Sequence, residues 1–73
     1  MSMKTQEIDA LRQRAQRSFD SGHISREQLS KIQGRCSHAD TADLELKPAL
    51  RDRKLYDAVS LLDLWESQSR KTV

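Results

Sequence analysis

Cys36, His38 and Asp40 stand at alternate positions and offer a thiol, an imidazole and a carboxylate, with His23 a possible fourth ligand. A structural zinc site takes paired Cys or His ligands two to four residues apart from two separate segments. One cysteine with scattered partners does not meet that pattern. As a nucleophile and its base, the Cys36–His38 pair needs a cleft and an oxyanion site, which short helices struggle to build. Cys36 also shares a helical stripe with Leu29 and Ile32, which predicts a small buried hydrophobe beside a surface histidine. The expectation is no enzyme activity, no metal, no cofactor and no small-molecule substrate.

The basic residues are the next source of chemistry. Arg14, Arg17, Lys31 and Arg35 would form one patch if the first two helices lie side by side, and Arg51, Arg53 and Lys54 another at the head of the third. Either could meet phosphate, although a solvated helix face has the same composition. A helix-turn-helix fails, because its recognition helix would fall on Asp40, Thr41, Asp43 and Glu45, which repel phosphate. Phe19, Tyr56 and Trp65 are the three aromatic residues. They do not interleave with basic ones as a single-strand platform requires. All three are expected in the core, with Trp65 the one placed to anchor a partner as well.

These side chains ride on three expected helices. Ile8, Leu11, Ala15 and Phe19 share one face of a helix within residues 1–21, which Gly22 ends by taking positive φ. Ser25 to Gln28 is a capping box, and Ile24 with Leu29 matches a hydrophobic staple, so a second helix starts there. Glu27 precedes Lys31 by four residues, the favourable order for an ion pair. From Ser37 to Lys47 the pattern blurs, and a connector with one turn of helix at Thr41 to Leu46 is expected. Pro48 suits the first turn of a third helix ending near Trp65 or Glu66. Its apolar face, broader than two short helices can cover, predicts a docking groove lined by Leu50, Leu55, Val59, Leu62 and Trp65.

The expected architecture is therefore all-α: a bundle of about three helices over residues 1–66, with a flexible, disordered C-terminal tail over 67–73. The whole chain has 73 residues and a formal charge of +2, with 33% charged and 36% hydrophobic residues. A core of that size seldom supplies more than about 3–5 kcal/mol of net stability, so a partner is a plausible stabiliser. The longest apolar stretches are the pairs Leu61–Leu62 and Leu64–Trp65, which predicts a soluble, cytoplasmic chain without a membrane partner.

The opening Met1-Ser2-Met3-Lys4-Thr5-Gln6-Glu7-Ile8, the turn Ser21-Gly22-His23-Ile24-Ser25 and the run Lys54-Leu55-Tyr56-Asp57 resemble the small transcription regulators with which Xanthomonas bacteriophages bind host RNA polymerase. The likeness spans nearly the whole chain but contains no signature motif, so no site residue carries over. It implies binding near the RNA exit channel, to the β′ amino-terminal segment and the β flap. Sigma displacement would inhibit initiation, and elongating polymerase would read through intrinsic terminators. Contact with nascent RNA would be a second route. Two other readings stay open: a small nucleoid-modulator-like helical protein associated with DNA, and a structural helical dimer.

Overall fold

A computed structural model describes the backbone of residues 3–71 and the side chains of residues 5–69. Three helices follow one another, α1 (Met3–Asp20), α2 (Arg26–Leu44) and α3 (Pro48–Lys71), and strands are absent among the described residues. The short loops return each helix antiparallel to the one before. α2 is central: it packs along both neighbours, while α1 and α3 meet over a short seam.

The core follows the expected stripes. Ile8, Leu11 and Ala15 of α1, Leu29, Ile32 and Cys36 of α2, and Leu55, Ala58 and Leu62 of α3 are buried together, with Ile24 from the first loop. Phe19, Leu61 and Trp65 pack partly buried against them. Tyr56 departs from expectation and is exposed. Position 56 directly follows core residue Leu55, and neighbouring helical positions lie about 100° apart.

The start of α2 agrees with the sequence to the residue. Gln28 N–H donates to Ser25 Oγ at 3.1 Å and Ser25 N–H donates to Gln28 Oε1 at 2.8 Å, closing the capping box. Its end does not. α2 runs unbroken through the expected connector to Leu44, because Ala39 and Ala42 continue the buried stripe, with Ser37 and Thr41 exposed and Asp40 half-buried beside α1. The third helix also exceeds its expected length: residues 67–71 are helical, and Thr72 and Val73 lie outside the described residues.

Both helix ends close with one backbone motif. At α1, Gly22 N–H donates to the Phe19 carbonyl and His23 N–H to the Ser18 carbonyl, at 3.0 and 2.9 Å. At α2, Leu46 N–H donates to the Asp43 carbonyl and Lys47 N–H to the Ala42 carbonyl, at 3.2 and 2.8 Å. This is the Schellman arrangement, whose central residue takes left-handed φ and is usually glycine. Gly22 holds φ +80°, whereas α2 places Leu46 there at φ +58°.

Candidate functional site

The expected apolar groove does not form as a unit. Leu55 and Leu62 fill the core, Trp65 leans half-buried against it, and only Leu50 and Val59 remain exposed. The cause is α2: its small residues Cys36, Ala39 and Ala42 let the longer helix settle close, which covers the face that seemed in surplus.

The two most exposed large apolar side chains, Leu44 and Leu46, stand at the tip between α2 and α3, while Tyr56, Val59 and Leu64 are exposed farther along α3. Every residue from Leu44 to Leu50 is exposed, with Leu44 at 84% and Leu46 at 86% of their full accessible area. An exposed leucine alone needs no explanation. Leu46 is different because its backbone also sits in the left-handed region, where an L-residue costs about 1–2 kcal/mol that glycine avoids. The tip keeps a large apolar side chain that neither the core nor the turn requires. Asp43 below it holds Arg51 at 2.6 Å, and Asp52 accepts from the same guanidinium at 3.1 Å, which fixes the loop on its stem.

The two expected basic patches are redistributed. Arg14 faces α3 and bridges Asp63 and Glu66, while the buried Ser18 hydroxyl donates to Glu66 at 2.5 Å. Hydrogen bonding to Asp63 pushes the Arg14 guanidinium's pKa up against the opposing effect of burial, so it is a fixed structural cation. Arg12 is tied in the same way to Asp40 across the α1–α2 seam. Arg51 is spent on Asp43 and Asp52, whereas Arg17 and Arg53 stay on separate exposed surfaces.

What remains converges between α2 and α3. Lys31, Gly34, Arg35 and His38 line one wall of a shallow groove of about 320 Å³, and Lys54 and Asp57 line the other. The Glu27–Lys31 pair that the spacing allows does not close; among the described residues, ion pairs engage Arg12, Arg14, Lys47 and Arg51 but none of the groove's three cations. Arg35 Nη1 donates to the Lys31 carbonyl at 3.1 Å, which steadies its guanidinium along the helix. The groove thus joins members of both expected patches. Helical spacing alone could group Lys31, Arg35 and His38, but Lys54 joins them only through the α2–α3 packing.

Cys36 is fully buried, and burial pushes its thiol pKa up against the opposing effect of Arg12, which disfavours the nucleophilic thiolate. Among the described residues no group of three or more His, Cys, Asp or Glu side chains is placed to hold a metal ion. No helix among them is long and apolar enough to cross a membrane. Comparison with known proteins yields no matching family model, curated protein or solved structure.

Proposed function

We propose that this chain is a docking protein without catalytic chemistry of its own, and that it regulates transcription by binding bacterial RNA polymerase through the leucine tip. The observation that carries the docking role is Leu46, held exposed at a backbone conformation that favours glycine. Burying a leucine side chain returns roughly 1.5–3 kcal/mol, so Leu44 and Leu46 together offset part of the cost of association. The partner is suggested by the likeness of residues 1–8, 21–25 and 54–57 to phage regulators of host polymerase.

Action then follows from occupancy in the host cytoplasm. A ligand that holds core polymerase at the β flap and β′ amino-terminal segment competes with sigma by mass action, which inhibits initiation. Occupancy beside the exit channel during elongation opposes terminator hairpins and gives antitermination. The test is co-migration with purified bacterial core RNA polymerase in size-exclusion chromatography. Wild-type protein is expected to co-elute and Leu46→Gly to be retained less; a wild-type chain that elutes wholly apart from polymerase overturns the proposal.

A further inference from the structure

We infer that the groove between α2 and α3 binds the phosphate backbone of a nucleic-acid strand through charge alone, without the base stacking of an aromatic single-strand platform. Three features of the groove converge on that ligand. Lys31, Arg35 and Lys54 are cations with no carboxylate partner among the described residues, facing a single carboxylate, Asp57. Lys31, Arg35 and His38 lie in a row at four- and three-residue spacing, which advances about 10 Å along α2. A row along an open groove suits a repeating polyanion; a lone anion is better held by a closed cage.

The third feature is Gly34. Glycine inside a helix is less favourable than alanine, yet a Cβ built on Gly34 would meet nothing within 4 Å. Packing therefore gives no reason for glycine at that position. Its bare backbone lies between Lys31 and Arg35 in the groove wall, where a missing side chain lets a bulky ligand come close. None of the six lining residues carries an apolar side chain, so the groove's apolar surface is limited to the stems of charged residues and the Gly34 backbone, a poor seat for the hydrophobic face of a peptide helix. Phosphates, by contrast, find lysine point charges and an arginine fork with donors to spare beyond the one given to the Lys31 carbonyl. Without an aromatic side chain for stacking, recognition is of charge and backbone, independent of base sequence.

This inference does not depend on the polymerase proposal, because the assay contains no polymerase. The probe is a fluorescein-labelled oligouridylate of fifteen nucleotides, followed by fluorescence anisotropy across a salt series. Three phosphate contacts at about 0.7 each predict a slope of log affinity against log salt near −2. In Lys31→Gln/Lys54→Gln the slope should flatten to about −0.7, the one contact left to Arg35. Asp57→Asn should tighten binding by removing the opposing charge, an outcome that unfolding cannot imitate. Gly34→Ala should weaken binding while raising the melting temperature. Absence of binding by folded wild-type protein at low salt overturns the inference. So does an unchanged slope in the double variant, or tighter binding of an oligoglutamate of equal charge. Lost polymerase co-elution with intact strand binding would fall on the docking proposal alone.

Discussion

The two loops of this bundle end their helices with the same hydrogen bonds and opposite residues. After α1 the left-handed position holds Gly22, which adopts φ +80° without a Cβ clash. After α2 the equivalent position holds Leu46, whose Cβ crowds its own backbone at φ +58° and whose side chain is 86% exposed. Geometry is therefore not what put leucine there. One cap follows from local chain physics, while the other gives up local stability and leaves an apolar surface. Gly34 departs in the opposite sense, omitting a side chain where the helix favours one and space permits it. Conflict between local preference and the residue present is expected where a site has a second duty.

The scale against which the caps should be judged comes from the core. Ile32 is fully inaccessible and sits where all three helices contribute side chains. Ile32→Ala removes buried methyl groups and leaves a cavity, and should cost about 2–5 kcal/mol. Urea denaturation followed by circular dichroism measures it. Because that loss rivals the whole stability of a domain this small, extensive unfolding in buffer is the expected outcome. A loss below about 1 kcal/mol would mean that helix ends, and not the packed stripe, hold the bundle.

The first cap can be broken directly. Gly22→Ala places a Cβ on a left-handed residue, which should cost about 1–2 kcal/mol even though nothing lies within 4 Å of the added atom. At this chain size each kcal/mol lowers the melting temperature by roughly 4–8 °C. An unchanged melting temperature would show that the loop relaxes out of the left-handed region, and the contrast with Leu46 would then lose its energetic meaning.

The sequence marked the first cap clearly and the second not at all, and the reason lies in the signals each uses. Ser21-Gly22 and the box at Ser25 to Gln28 are local devices, so the end of α1 and the start of α2 could be placed from residue types alone. The end of α2 has leucine where glycine would announce a stop. Its last two turns carry Ala39 and Ala42 as the buried stripe amid polar residues that usually form turns. The alanines at three-residue steps from Cys36 were the available clue. The core was legible because helical period survives in single residues; Ile8, Leu11, Ala15, Leu29, Ile32 and Cys36 needed no knowledge of their neighbours. Sites were less legible because they depend on what faces what. Whether Arg14 is a free cation or a strut is decided by Asp63 and Glu66, 49 and 52 positions away. Likewise, the apolar groove expected on α3 is broken up once α2 covers Leu55 and Leu62, which leaves only Leu50 and Val59 of it exposed.

The second cap offers the smallest effect on folding and the sharpest test of the comparison. Leu46→Gly relieves the left-handed strain but also gives the unfolded chain more freedom to lose, so the net gain in stability should be no more than about 1 kcal/mol. The side chain being removed is almost wholly exposed, so the core has no packing to lose. Thermal melts should therefore place Leu46→Gly level with or above wild type, and the same protein should bind polymerase more weakly. Those two readouts move apart only if leucine is retained for what it touches outside the bundle. Should the substitution lower the melting temperature by several degrees, Leu46 is a structural residue of the hairpin, and the difference between the two caps reports folding alone.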